Sequence, residues 1–193
     1  MNKKIVLASA SPRRKELLER MGLRFEVIPS SIEEKEFNYN MPPEMLACKL
    51  ALLKSEQVAK QQKNSLVIGA DTIVVQDKVF GKPENKKDAY WMLKSLTGKP
   101  HQVITGLAVI DSETGDKKVE YEKTVVYMRQ ISDEEIKAYI NTGEPMDKAG
   151  AYGIQGLGGL FVEKIDGCFF NVVGLPVSKL YTILKNFGVK FFE

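Results

Sequence analysis

The stretch that most constrains this chain runs from Leu66 to Pro83: Leu-Val-Ile-Gly-Ala-Asp-Thr-Ile-Val-Val-Gln-Asp-Lys-Val-Phe-Gly-Lys-Pro. Leu66, Val67 and Ile68 form a short apolar run of the kind that makes a strand buried on both faces. Gly69 and Ala70 then leave the backbone bare, and Asp71 follows at once. An ionised carboxylate at the end of a buried strand is costly unless something meets it. Asp71 is therefore expected to face a metal ion, a cation or hydrogen-bond donors. Beyond Thr72 the chain is apolar through Ile73 to Val75, turns at Asp77-Lys78, and returns through Val79-Phe80 to Gly81-Lys82-Pro83. A hairpin of this kind can bring Lys82 back towards Asp71. A helix-capping aspartate and a solvated loop lysine are the ordinary alternatives. The functional reading is preferred because both residues sit beside glycine, which lets a ligand approach the backbone.

A chain of 193 residues suits one large domain or two small lobes. Its 44% hydrophobic and 27% charged residues exclude a disordered or fibrous class. The net charge of +3 comes from 28 basic and 25 acidic residues, well mixed along the chain. That is no footprint for nucleic acid, so any anion site must be local. Cys48 and Cys168 are far apart and show no zinc spacing, which suits two free thiols in a reducing compartment. Met-Asn-Lys-Lys and the four apolar residues after it are too short for a signal peptide, and no run approaches a membrane span. The expectation is a cytoplasmic protein.

In chain order, Ile5–Ala8 reads as a first strand. It leads through Ser9-Ala10 into Ser11-Pro12-Arg13-Arg14 and a helix to about Met21, stopped by Gly22. Ser11 is a good N-cap and Pro12 a good first helical residue. Two arginines in a first turn oppose the helix dipole, so strand, small-residue loop and helix start together make a phosphate cradle. Arg13 is the stronger candidate, with a solvated surface the ordinary reading of Arg14. Phe25–Ile28 is a second strand, and the polar loop Ser30–Met41 holds Glu33, Glu34 and Glu36.

Glu44 to about Gln61 is a helix in which Leu53, Leu46, Leu50, Ala47, Val58 and Ala51 share one apolar arc. Lys54 falls inside that arc, whereas Lys49 and Lys60 fall outside it. Lys54 either snorkels to the edge or reaches a negative partner. Asn85 caps a helix to about Leu96. Gln102–Asp111 and Lys117–Met128 are long strands joined by Ser-Glu-Thr-Gly, and Ser132 with Glu135 forms a capping box. Leu160–Ile165 and Cys168–Val173 are expected to flank a hairpin turn at Asp166-Gly167. Pro176 opens the last helix, Gly188 closes it, and Lys190–Phe192 is a further edge-strand candidate. His101 is a lone strand-edge residue with no visible partner. Strands alternating with helices, plus hairpins, indicate a mixed-sheet α/β fold. Between these elements lies Glu144–Gly159, where closely spaced glycines with Tyr152 and Ile154 suggest backbone wrapped around something. It matches neither a Walker A loop nor the dinucleotide fingerprint.

Taken together, four motifs resemble the Maf family of nucleoside triphosphate pyrophosphatases, also called septum formation inhibitors. They are Leu7-Ala8-Ser9-x-Ser11-Pro12-Arg13-Arg14, Gly69-Ala70-Asp71-Thr72, Gly81-Lys82-Pro83 and Glu144-Pro145-x-Asp147-Lys148-Ala149-Gly150-Ala151-Tyr152-Gly153-Ile154-Gln155-Gly156. The resemblance covers essentially the whole chain, as one Maf-like domain over 1–193. It implies an elongated mixed β-sheet flanked by helices, two lobes with a cleft between them (Maf/ITPase-like), a homodimer, and a divalent cation, usually magnesium or manganese. It further implies hydrolysis between the α- and β-phosphates, giving a nucleoside monophosphate and pyrophosphate.

By the same resemblance Asp71, Glu34 and Lys82 are the catalytic candidates, with Asp71 and Glu34 holding the metal. Glu33 and Glu36 compete for the place of Glu34. Ser9, Arg13, Lys54 and Lys82 would bind phosphate, and the family's helix lysine falls on the same Lys54 that the helical wheel singles out. Arg13, Thr72 and Gln155 match positions tied to substrate preference, and the Gly-Ile-Gln-Gly form resembles the subgroup acting on dTTP and UTP. A nucleotide-binding regulator of cell division without turnover, and a phosphatase releasing orthophosphate, are the rival expectations.

Overall fold

The computed structural model describes residues 3–32 and 41–192. Among the described residues, seven strands form one sheet: β1 (Lys4–Leu7), β2 (Phe25–Val27), β3 (Ser65–Val75), β4 (Val79–Phe80), β5 (Pro100–Asp111), β6 (Lys117–Met128) and β7 (Val162–Asp166). The order is β2-β1-β3-β5-β6-β7, with β4 on β3. The sheet is mixed. β1 pairs parallel with β2 and with β3, Leu7 lying opposite both Val27 and Ile68. β4 pairs antiparallel with β3, Phe80 opposite Val74, and β7 antiparallel with β6. The helices are α1 (Pro12–Arg20), α2 (Pro43–Ala59), α3 (Lys86–Leu96), α4 (Asp133–Asn141), α5 (Phe169–Val173) and α6 (Val177–Asn186).

The chain divides into two compact units. The first takes in Met1–Asp71, Thr105–Glu122 and Gly174–Glu193, and the second Thr72–Ile104 and Lys123–Val173. Val6, Ala8, Val58, Ala59, Val67 and Ile110 form one buried cluster of the first unit. The core of the second gathers Val74, Leu93, Leu96, Val126, Ile136, Tyr152 and Phe161 among others.

The caps read from the sequence are in place. The Ser11 side chain accepts from the Arg14 N–H, and the Asn85 side chain accepts from the Asp88 N–H. Ser132 and Glu135 complete both halves of the capping box on α4. Each satisfies a helix N–H that has no partner within the helix.

Three elements differ from the sequence expectation. β3 does not end before Asp71 but runs unbroken through Gly69–Thr72 to Val75. Cys168–Val173 is not a strand: Phe169–Val173 is helical. Its Asn171 is fully buried, donating to Val103 O at 3.0 Å and Thr124 Oγ1 at 2.9 Å. A short apolar run does not distinguish strand from buried helix by period alone. Lys190–Phe192 forms no strand; the ring of Phe191 lies 4.8 Å from that of Tyr181 on α6.

In the first unit α2 lies unusually close to the sheet. A Cβ added at Gly69 would stand 2.3 Å from Ala51 O, and one at Gly106 would stand 2.1 Å from Ala47 O. Backbone meets backbone at both places, so neither glycine has room to become alanine. Gly106→Ala should destabilise by about 3 kcal/mol or more, lowering Tm by roughly 6–12 °C in a thermal melt. An unchanged melting curve would mean that α2 is not seated this tightly.

Candidate functional site

The first unit brings together the loop after β1 and the middle of β3. Ala8 N–H donates to Ile68 O at 2.8 Å, so Ser9 leaves the sheet beside the strand that reaches Asp71 three residues later. Ligands of open α/β sheets gather at such carboxyl ends of parallel strands. Ser9 is buried, and its hydroxyl accepts from Ser11 N–H at 3.3 Å and from Arg14 Nη1 at 3.0 Å. Arg14 Nε also donates to Gly174 O at 2.8 Å. Arg14 is thus half-buried and structural, where the sequence suggested a solvated surface residue. Arg13, also half-buried, sits in the first turn of α1, which contains no acidic residue.

Asp71 is 3% exposed and Lys54 8%, and Lys54 Nζ donates to Asp71 Oδ1 at 2.5 Å. Of the partners the sequence left open for Asp71, a cation is present; of the two readings of Lys54, the negative partner holds. Lys49 on the same helix and Lys60 at its C-cap are exposed, as the wheel requires.

The second unit holds Thr72, Lys82 and Gln155. The return strand β4 heads along β3 towards the Thr72 end, leaving Lys82 exposed two residues beyond Phe80. The glycine-rich segment is tied to this hairpin: Gly150 N–H donates to Gly81 O at 3.0 Å. Gly150 has φ +68°, and a Cβ there would stand 2.9 Å from Val74 Cγ2, so torsion and space both require glycine. Gly156 N–H donates to Gly153 O at 3.3 Å, which makes Ile154 and the exposed Gln155 the centre of a turn.

Glu33, Glu34 and Glu36 lie outside the described residues. Among those described, no group of three or more His, Cys, Asp or Glu side chains is placed to hold a metal ion. A single buried carboxylate is nevertheless compatible with magnesium, which commonly takes one or two protein carboxylates and completes its shell with substrate phosphates and water. No described helix is long and apolar enough to cross a membrane.

Two groups here went unread in the sequence. Glu144 ties the turn that carries Gln155. His101 lies at the start of β5 but is not without a partner: it is 2% exposed and shares a 2.7 Å hydrogen bond, Nε2 to Oη, with the buried Tyr152 of the glycine-rich segment. Burial disfavours the charged ring and lowers the His101 pKa to about 4, against a weaker upward pull from the Lys99 backbone. The signal was available only jointly, since neither residue points to the other at a separation of 51 positions.

The layout is that of an α/β protein with a buried ion pair between β3 and α2 and a small-residue loop at the carboxyl end of β1. The sequence carries the comparison further: residues 4–187 match the family described as Maf-like protein. The chain belongs to the Maf-like protein family. It is 50% identical to the dTTP/UTP pyrophosphatase of Caldicellulosiruptor saccharolyticus, with 96% of each chain covered. It is 54% identical to the dTTP/UTP pyrophosphatase of Alkaliphilus oremlandii, over 95% of this chain and 96% of that one. Among solved structures, a HAM1 protein from Coxiella burnetii shares the fold, with a TM-score of 0.53 at 14% identity, over 96% of this chain and 100% of that one.

The buried histidine gives the protein an acid-sensitive component. A lowered folded-state pKa in a base means that stability is fully present above the unfolded value near 6.5 and is lost as pH falls from there to about 4. That single group should remove roughly 3 kcal/mol across the window. Chemical denaturation of wild type and His101→Gln at stepped pH should show a steeper loss in wild type between about 6.5 and 4. Parallel curves would show that His101 binds its proton equally well in the folded and unfolded chain, so that burial does not lower its pKa.

Proposed function

We propose that this protein hydrolyses dTTP and UTP between the α- and β-phosphates, releasing the nucleoside monophosphate and pyrophosphate. The observation that carries the reading is the buried Asp71–Lys54 pair, in a chain half identical along its length to two dTTP/UTP pyrophosphatases. A triphosphate brings several negative charges, and this chain offers Ser9 and Arg13 at the start of α1, Lys54 on α2, and Lys82 after β4 to meet them. Asp71 takes the proton from the water that attacks the α-phosphorus, and the bond to the bridging oxygen breaks so that pyrophosphate departs. Asp71 and Glu34 would be the residues to hold a magnesium or manganese ion, which would supply polarisation of the α-phosphate, Asp71 then accepting the proton directly or as a metal ligand. Gln155 reads the pyrimidine edge through its amide, with Arg13 and Thr72 contributing to the same preference. We propose that residues 1–193 work as a single Maf-like domain, paired in a homodimer and acting in the cytoplasm, where such nucleotides turn over.

Two measurements test this. Asp71→Asn preserves shape but removes both charge and proton acceptance, so kcat should fall about 10²–10⁴-fold. Nucleotide affinity should survive better, because the cationic side chains remain. Asn also removes the negative charge that Asp71 places against buried Lys54, so a melting curve must accompany the kinetics. A folded variant with near-normal kcat removes Asp71 from the mechanism and turns attention to Glu34.

Gln155→Glu replaces an amide donor with a carboxylate facing a base carbonyl. Relative kcat/KM for dTTP and UTP should drop at least about tenfold across a nucleotide panel assayed for pyrophosphate. An unchanged ranking removes Gln155 from recognition, and orthophosphate as the first product overturns the reaction itself.

A further inference from the structure

The turn that carries Gln155 is held on one side by the Glu144 carboxylate and on the other by the Lys148 side chain that donates to the Glu144 main chain. Glu144 follows α4, and its carboxylate collects three donors. Oε1 accepts from Tyr139 Oη at 3.0 Å and from Gly158 N–H at 3.1 Å, and Oε2 accepts from Leu157 N–H at 3.0 Å. Leu157 and Gly158 open the single-turn 3-10 helix Leu157–Phe161, whose own N-cap residue, Gly156, has no side chain to offer. Glu144 therefore serves as the cap from thirteen residues upstream. On the other side of the turn, Lys148 Nζ donates to the main-chain oxygen of Glu144 at 2.5 Å and to Asp147 Oδ1 at 2.7 Å.

The fit leaves no slack. A Cβ at Gly156 would stand 2.4 Å from Glu144 Oε1, and one at Gly153 would stand 2.6 Å from Lys148 Cε. The two residues that flank Ile154-Gln155 thus rest directly on Glu144 and on the lysine bonded to it. Burial alone would push the Glu144 carboxyl up, but the Gly158 and Leu157 N–H groups and the Tyr139 hydroxyl hold it below the ordinary glutamate value. Burial and the Glu144 carboxylate in turn push the Tyr139 hydroxyl up. The ring of Tyr139 is itself fixed edge-on against Phe161, centroids 5.0 Å apart.

We propose that Glu144 is a positioning residue for substrate selection: it sets the place of Gln155, and through Gln155 it sets the preference for dTTP and UTP. The proposal rests on the reading of Gln155 as the residue that contacts the base. Glu144 touches neither phosphate nor base in it. A purely structural Glu144 would weaken all nucleotides alike, whereas a positioning Glu144 weakens those that Gln155 selects.

The test is a double-mutant cycle on selectivity with Glu144→Gln and Gln155→Ala. In Glu144→Gln the amide can still accept from some of these donors but faces another with its own N–H groups. The kcat/KM ratio of dTTP to GTP should fall about tenfold, mostly through KM for dTTP, while GTP turnover stays within about twofold. The double variant should show no more loss of selectivity than Gln155→Ala alone, since the two act through one contact. Amide exchange at Leu157 and Gly158 should quicken in Glu144→Gln at a Tm near that of wild type.

If Glu144→Gln lowers all substrates equally, or if the two losses add, Glu144 has no positioning role. Selectivity lost in Gln155→Ala but kept in Glu144→Gln overturns this proposal alone. Selectivity kept in Gln155→Ala overturns the base-contact reading and this proposal with it.

Discussion

The first unit depends on how closely one helix can approach the sheet. Ala47, Ala51 and Ser55 recur every four residues on α2 and so lie on one face. Opposite them β3 presents Gly69 and β5 presents Gly106, each bare where α2 touches. Any larger residue at these places would lift the helix. A side chain on the neighbouring row of α2 would then hang away from the strand it now reaches. Lys54 is that side chain, following Leu46 and Leu50 at the same spacing, and Asp71 lies two residues beyond Gly69 on β3. The ion pair is thus a consequence of small residues elsewhere.

Two opposite charges in such a place are poorly explained by stability. Removing a carboxylate and an ammonium from water costs several kcal/mol for each, and their attraction returns that only with good geometry. Apolar residues of similar volume in a core of Leu46, Leu50 and Val67 would hold the unit together at least as well. Asp71 lies three residues beyond Ile68, whose carbonyl takes the Ala8 N–H just before Ser9, and the first turn of α1 that follows favours anions. That neighbourhood gives the charges a reason that packing does not.

Much of this was legible in the sequence because it rests on short-range rules. Caps at Ser11, Asn85 and Ser132 are local hydrogen bonds written in three or four residues, and α2 announced both its apolar arc and its misplaced lysine. The parts that were not legible depend on partners distant along the chain. Asp71 reads as the end of a strand because Gly69 and Ala70 look like a break. In the fold those bare residues are what let β3 continue beneath a helix. Phe169-Phe170 looks like strand by composition, yet the segment is helical, with buried Asn171 bonded to Thr124 and Val103. His101 and Glu144 each acquire meaning only from a partner placed by tertiary structure, Tyr152 in one case and the N–H groups after Gln155 in the other.

Asp71 and Glu144 are held in contrasting ways, and the contrast follows from what each would have to do. Glu144 is fixed chiefly by backbone N–H groups, which cannot move without unmaking the turn they belong to. Asp71 is met by a lysine at the end of a four-carbon stem, a donor that can swing by rotamer changes alone. On the proposed function, an arriving triphosphate competes for that ammonium with several negative charges at once. Lys54 can then turn part of its charge to phosphate while Asp71 becomes available to water, with no change in the backbone of either α2 or β3.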